Sequence, residues 1–278
     1  MKKVWLITGC STGFGRELSK QVLALGYNAA VAARNTGDVA DIVQDYPETA
    51  LAVKLDVTVS TDITAAVKAT LEKFGQIDVL VNNAGIGYFA AVEESEEAQV
   101  RRMFDINFFG LANMTQTVLP IMRKQRSGHI VNISSIGGLR SFPGVGFYNA
   151  TKYAVDGLSE ALAKETTPLG IKVTIVAPSG FRTDWAGRSA DDTQIKIADY
   201  ATTAGKNAGD IRGISGNQPG DPALAAKAII KVVETENPPL RLLLGVAALK
   251  GARIKLDELK HDFDAWEDTT IGADSPKS

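Results

Sequence analysis

Tyr148-Asn149-Ala150-Thr151-Lys152 places a phenol and an ammonium four residues apart, and therefore on one face of any helix that carries them. The pair is equipment for moving a proton. A phenol with an ordinary pKa of about 10 trades a proton with an alcohol or alkoxide near neutrality only with help, and an adjacent cation helps by stabilising phenolate. By itself the spacing is weak, because six tyrosines and a common residue such as lysine give roughly a one-in-four chance of such a pair at random. Two further groups read as lying on one edge of a sheet: Ser134-Ser135 at the end of one apolar run, and Asn82-Asn83-Ala84-Gly85 at the end of another. A serine hydroxyl there donates to a substrate oxygen on which negative charge grows. The combination is far rarer than any member.

Thr8-Gly9-Cys10-Ser11-Thr12-Gly13-Phe14-Gly15 follows the first apolar run and opens the first helical pattern. Glycines there let the backbone approach a pyrophosphate, while the free N–H groups and dipole of a helix start favour the anion. The spacing is not G-x-G-x-x-G, so it is the position between first strand and first helix that gives the turn its weight. About twenty residues further on, the second strand ends Val31-Ala32-Ala33-Arg34, without the carboxylate that would accept from a ribose 2′-hydroxyl. Arg34, with Ser11 and Thr12 nearby, would pair instead with a 2′-phosphate, which favours NADP(H) over NAD(H). The competing reading is a solvated arginine at a strand end. Asp56-Val57, ending the third strand, reads either as an adenine site built from a carboxylate and main chain or as an ordinary turn.

Positioning these groups takes a scaffold of alternating strands and helices. Short β-branched runs predict strands near 4–8, 29–33, 51–55, 79–82, 129–134, 172–177 and 240–244, several of them apolar throughout, as strands covered on both faces are. Amphipathic patterns predict helices near 14–25, 62–74, 96–123, 148–167 and 222–234. The first shows Phe14, Leu18, Val22 and Leu25 on one stripe and stops at Gly26; the last opens with Asp221 as N-cap and Pro222 at its first position. The result is an α/β chain: a doubly wound parallel sheet of about seven strands with helices on both faces. Residues 1–249 make one domain and 250–278 a C-terminal extension. Residues 183–220, small, polar and glycine-bearing, predict a mobile excursion, a lid in which Trp185 and Ile195 bury on closure. The tail, with Ile254, Leu256, Leu259, Phe263 and Trp266, predicts a docked helix that loosens after Asp268.

Composition narrows the function. With 278 residues, 45% hydrophobic and 22% charged, the chain has ample core and needs neither disulfide nor metal to fold. Cys10 is its only cysteine, which excludes an intrachain disulfide and cysteine-based zinc sites and points to a reducing, cytoplasmic setting. A net charge of −2 without any Lys/Arg block argues against nucleic acid, and no stretch reads as a membrane span or a signal peptide. His129 and His261, the only histidines, read as a strand-edge residue and a solvated tail residue. H-E-x-x-H and the Walker motif do not occur, and the G-x-S-x-G match, Gly9 to Gly13, is the glycine turn itself.

Thr8-Gly9-x-x-x-Gly13-x-Gly15, Asp56-Val57, Asn82-Asn83-Ala84-Gly85, Asn107, Ser135, Tyr148-x-x-x-Lys152 and the stretch from Pro178 to Thr183 occur in this order over nearly all of residues 1–245. Jointly they resemble the short-chain dehydrogenase/reductase family, closely its compact single-domain branch, and so imply a Rossmann-type fold. The resemblance implies that Tyr148 is proton donor and acceptor, Lys152 its electrostatic partner and ribose ligand, and Asn107 the anchor of a proton-relay water. The competing reading of Asn107 is a residue that caps or bends its long helix. Of the two adjacent serines, the family's interval of thirteen before the tyrosine selects Ser135 as the carbonyl-orienting donor. Gly9, Ser11, Thr12, Gly13, Phe14, Gly15, Arg34, Asp56, Val57, Asn83, Ala84, Gly85, Tyr148, Lys152, Pro178, Gly180 and Thr183 would hold the cofactor. One departure stands out: relatives show Pro-Gly where this chain has Pro178-Ser179-Gly180.

The loops after the fourth, fifth and sixth strands supply Tyr88, Phe89, Leu139, Phe142, Val145 and Trp185, with Arg140 the charged exception. Phe89, Phe142 and Trp185 are the candidate substrate contacts; the alternative for each is a place in the core. An apolar or aromatic ketone, or its secondary alcohol, fits such a wall better than a polyol or sugar phosphate. The helices at 96–123 and 148–167 pair between subunits in many relatives, implying a homodimer or homotetramer. Two rivals remain: a sugar epimerase or dehydratase of the longer-chain branch, and a nucleotide-sensing regulator without catalysis.

Overall fold

The computed structural model describes residues 2–187, 190–193 and 196–275; Ile195, expected to anchor a lid, lies outside the described residues. The chain runs β1 (Val4–Ile7), α1 (Gly13–Ala24), β2 (Asn28–Ala33), α2 (Ala40–Gln44), β3 (Ala50–Lys54), α3 (Ser60–Phe74), β4 (Val79–Asn82) and β5 (Gly87–Phe89). It continues through α4 (Glu97–Phe104), α5 (Leu111–Gln125), β6 (Gly128–Ile133), α6 (Gly146–Thr166), β7 (Ile171–Pro178), β8 (Ala190–Asp192) and α7 (Lys206–Gly213). It closes with α8 (Pro222–Glu234), β9 (Arg241–Leu244), α9 (Val246–Ala265) and α10 (Glu267–Ile271).

Seven strands form one parallel sheet in the order β3-β2-β1-β4-β6-β7-β9, the doubly wound architecture that the alternation predicts. Side chains alternate across each strand, so β1 serves two layers at once. Trp5 and Ile7 pack with Leu18 and Val22 of α1 and Ile229 and Val233 of α8. Leu6 packs on the other face with Ile63 and Val67 of α3, Met114 and Val118 of α5 and Leu162 of α6. Burial on both faces is why these strands are apolar throughout. The Asp221 carboxylate accepts from Ala223 N at 2.8 Å, capping α8 as the sequence predicts.

After β1 the chain winds outward through β2 and β3, then crosses back to lay β4 on β1's other side. The crevice above this reversal lies between the glycine turn and the Asn82-Asn83 corner, the place where doubly wound sheets bind ligands.

Four features differ from the sequence reading. The single helix expected over 96–123 is two α-helices joined by a π-helical stretch, Asp105–Gly110, that carries Asn107. Hydrophobic periodicity does not register one widened turn. The 183–220 segment is not merely an excursion: β8 pairs with β5 in a second, two-stranded parallel sheet, and Phe89, Met103, Val145 and Ala190 form a third apolar cluster with Trp185 and Ile211 against it. The tail stays helical to Ile271, and beyond residue 259 its described residues are exposed instead of docked. His129 is no edge residue. It is buried in β6, between β4 and β7, and its Nε2 meets Thr174 Oγ1 at 2.9 Å.

Candidate active site

The glycine turn is held by side chains from the neighbouring strand. Asn83 Nδ2 donates to Thr8 O at 2.8 Å and Gly9 O at 2.9 Å, while Thr8 Oγ1 accepts from Asn83 N and Ala84 N. Gly9 has φ of +71°, and a Cβ there would lie 2.9 Å from Ala84 Cα, so only glycine fits. Gly15 is packed the same way, its Cβ position 2.5 Å from both Asn83 Nδ2 and Gly9 O. Thr12 caps α1 through no side-chain hydrogen bond, and no acidic residue occupies the first turn. The positive end of α1 thus faces the crevice with donors to offer, and the turn fits a pyrophosphate.

Arg34 stands at the outer end of this crevice beside Asp56. Partial burial raises the Asp56 carboxyl, but the Thr58 hydroxyl and backbone N–H that it accepts from, with the charges of Arg34 and Lys54, outweigh burial and hold it below its ordinary value. Phe14 packs edge-on against Phe181 at 5.1 Å, joining the glycine turn to the segment after β7. In that segment Ser179, the residue that departs from the family's Pro-Gly, donates its hydroxyl to Leu244 O of β9 at 3.3 Å, and both it and Gly180 border the cavity.

Tyr148 and Lys152 lie one turn apart on α6, both buried. Lys152 Nζ donates to Ile133 O at 2.8 Å and sits 5.7 Å from the centre of the Tyr148 ring. Burial pushes the Lys152 ammonium down to about 8, against the pull of Asp156. Burial likewise pushes the Tyr148 phenol up to about 12, with the Ser135 hydroxyl pulling the other way. The two adjacent serines separate cleanly: Ser134 donates to Asp156 Oδ1 inside the fold, and Ser135 stands beside Tyr148 with its Oγ accepting from Gly137 N at 3.0 Å. Asp156 also faces Arg241 at 3.7 Å, and burial raises its carboxyl to about 6.

Asn107 is 1% exposed. Its Oδ1 accepts from Ile86 N at 2.8 Å, and its Nδ2 donates to Ile86 O at 2.9 Å and Thr151 Oγ1 at 3.3 Å. The side chain thus pins the loop after β4 to α6, leaving one Oδ1 lone pair near Lys152.

A single cavity of about 1470 Å³ runs from Arg34 past the glycine turn to Ser135, Tyr148 and Lys152. Ser11, Thr12, Gly13, Phe14, Asp56, Val57, Asn83, Ala84, Gly85, Pro178, Gly180 and Thr183 all border it; Gly15 and Asn107 lie just behind its wall. Of the expected substrate contacts, Phe142 and Trp185 line it, Trp185 with its ring centre 4.8 Å from that of Tyr148. Phe89 does not. It is 1% exposed, clasped between Trp185 and the Arg212 guanidinium, because the β5–β8 pairing turns it into the third cluster. Tyr88 and Leu139 are also off the cavity. Sequence reasoning missed Ile136, Ile211, Ile214, Ala247 and Ile254, which complete the apolar wall, and Lys250 beside them. Only the helical spacing of Ile211 and Ile214, and of Ala247 and Ile254, hinted at shared faces.

The chain matches the short chain dehydrogenase family over residues 3–194. It is 36% identical over 274 residues to "Oxidoreductase BOA17" of Botryotinia fuckeliana, covering 98% of this chain and 100% of that protein. A solved short-chain dehydrogenase from Streptomyces avermitilis superposes with a TM-score of 0.92 at 42% identity, over 99% of this chain and 100% of the other. Two more distant structures hold different cofactors. The Burkholderia phymatum short chain dehydrogenase/reductase is in complex with NAD (26% identity, TM-score 0.81, 94% and 95% covered), and ElxO has NADP bound (29%, 0.74, 90% and 100%). The glycine turn, the reversal of strand order and the extent of these matches lead to one conclusion: the chain belongs to the short-chain dehydrogenase family of oxidoreductases.

Proposed function

We propose that the chain is an NADP(H)-dependent carbonyl reductase or alcohol dehydrogenase, acting on a ketone or secondary alcohol with hydrophobic or aromatic substituents. The observation that carries this reading is the meeting of Tyr148, Ser135 and Lys152 on a cavity continuous with the glycine turn. Gly9, Gly13, Gly15 and the start of α1 would seat the pyrophosphate, and Arg34 with Ser11 and Thr12 the 2′-phosphate. Asp56 and Val57 would take the adenine, while Asn83 to Gly85, Lys152 and the stretch from Pro178 to Thr183 would hold the ribose and nicotinamide. When bound, that cofactor supplies the hydride and, oxidised, a positive ring charge.

The chain's own part is position and charge. The hydroxyls of Ser135 and Tyr148 donate to the substrate oxygen, where negative charge collects in reduction. Tyr148 passes its phenolic proton to that oxygen and takes it back in oxidation. Lys152, held by Ile133 O, lowers the cost of phenolate, and the free lone pair of Asn107 Oδ1 is where a relay water would be anchored. Ile136, Phe142, Val145 and Trp185 favour an apolar substrate, with residues 183–220 as its cover and 250–278 as an extension to the 1–249 domain. The single, buried thiol of Cys10 fits a cytoplasmic place of work. Among the described residues no helix is long and apolar enough to cross a membrane. A sensor without catalysis finds no support, since Asn107, Ser135, Tyr148 and Lys152 are all present, and a sugar epimerase would need a differently spaced glycine turn.

The test is a panel of ketones and secondary alcohols assayed with both cofactors, on the parent and on Tyr148→Phe. Loss of the phenolic oxygen should cost about 10²- to 10⁴-fold in turnover with cofactor affinity kept within a few-fold. Activity of the variant within about tenfold of the parent would refute the assignment.

A further inference from the structure

Helix α9 has 20 residues, about 30 Å of length, yet its residues beyond Leu259 are exposed. Ala248 and Gly251 are buried, Gly251 against Ile136, and Glu258 reaches Arg140. On the outward side, Leu249, Ala252, Leu256, Leu259, Phe263 and Trp266 recur at alternating steps of three and four, which is a heptad seam. Leu256, Phe263 and Trp266 are about two-thirds exposed (66, 67 and 66%). A helix serving only its own fold would turn such a stripe inward.

The charges on α9 run against its own dipole. Residues 246–255 hold three basic side chains and no acidic one, while 257–268 hold six acidic residues against Lys260, which pairs with Asp264. A lone helix is stabilised by the reverse order, acid first and base last. A second identical helix laid antiparallel gives this order a use: the basic half of each faces the acidic half of the other. Parallel pairing would set like against like.

We infer that the outer face of α9 is an interaction surface for a second copy of this chain, paired antiparallel. The layers of the seam are then Leu249 opposite Trp266, Ala252 opposite Phe263, and Leu256 opposite Leu259, with a small residue meeting a large one in the second layer. Lys250, on the cavity wall of one copy, comes to lie beside the acidic half of the other, so this assembly also shapes the substrate end of the cavity. The surface is distinct from the helices over 96–123 and 148–167, whose pairing the family resemblance implies.

Because Cys10 is buried, introduced cysteines report contacts cleanly. Full-length Leu249→Cys and Trp266→Cys chains are mixed under mild oxidation, with Lys68→Cys, at an exposed position of α3, as the control. Antiparallel pairing predicts that the mixed 249–266 disulfide dominates; products no more abundant than with Lys68→Cys, or mainly 249–249 and 266–266 products, would overturn it. In sedimentation, Leu256→Glu with Phe263→Glu should weaken self-association at least about 100-fold and halve the mass of the largest micromolar species, since each leucine or phenylalanine re-exposed forfeits its burial. Neither residue borders the cavity, so retained turnover shows that the variant folds. An unchanged mass, or a parent that is monomeric and binds phosphatidylglycerol vesicles through α9, refutes the inference.

Discussion

Replacing Arg34 by alanine should remove most of a preference for NADPH over NADH, and the structure bounds how much. A charge-assisted pair to a phosphate contributes about 1.5–3 kcal/mol. Arg34 is exposed at the cavity's outer end, and its charge is already shared with Asp56, so the lower part of that range applies. About 1.5–2 kcal/mol corresponds to roughly 10- to 30-fold in the ratio of kcat/KM for the two cofactors. An exposed pair is also screened, so the parent's preference should shrink as salt rises from about 0.05 to 0.5 M, while that of the variant stays flat. Ala33→Asp added to Arg34→Ala sets a carboxylate on the same wall and should carry the preference over to NADH. Competition between the two cofactors in one reaction mixture gives the ratio directly. If the parent prefers NADH, or Arg34→Ala moves the ratio less than about twofold, the role given to Arg34 is wrong.

Three other outcomes are open to measurement. Burial pushes the His129 imidazole down to about 4, and Nδ1 has no partner, so acid finds an unfolded state that binds the proton more readily. Stability from this group is intact above about pH 6.5 and falls by roughly 3 kcal/mol as pH drops to about 4; urea unfolding of His129→Gln should lack that component, and equal pH slopes in the two proteins would count against it. Phe89→Ala, a truncation in the third cluster, should cost about 3–5 kcal/mol of stability and leave substrate preference alone, whereas Phe142→Ala should raise KM for bulky ketones with little loss of stability. If residues 183–220 form a lid, their amides gain protection from hydrogen exchange when NADP(H) or a substrate analogue binds; equally slow exchange in the free protein makes the segment a fixed wall.

The places of the candidate residues in the fold were legible because they depend on short-range periodicity. Tyr148 and Lys152 share a helix face by their spacing, and the glycine turn and the Asn82-Asn83 corner end strands that their apolar runs reveal. Gly9 was recognisable as a turn residue, but its reason, the Ala84 backbone 2.9 Å from a would-be Cβ, belongs to a different strand.

What remained hidden in each case hangs on a partner far away in the chain. Ser134 and Ser135 are neighbours of identical type, and the fold tells them apart through Asp156, which binds one and leaves the other to the cavity. Phe89 and Phe142 are both aromatic loop residues, yet the pairing of β5 with β8, a hundred residues on, buries the first and leaves the second on the wall. The widened turn at Asn107 and the phenol raised to about 12 arise from packing and desolvation, to which hydrophobic spacing is blind. Local geometry follows from residue type, but which groups are dry, paired or left facing a ligand is settled only when distant segments meet.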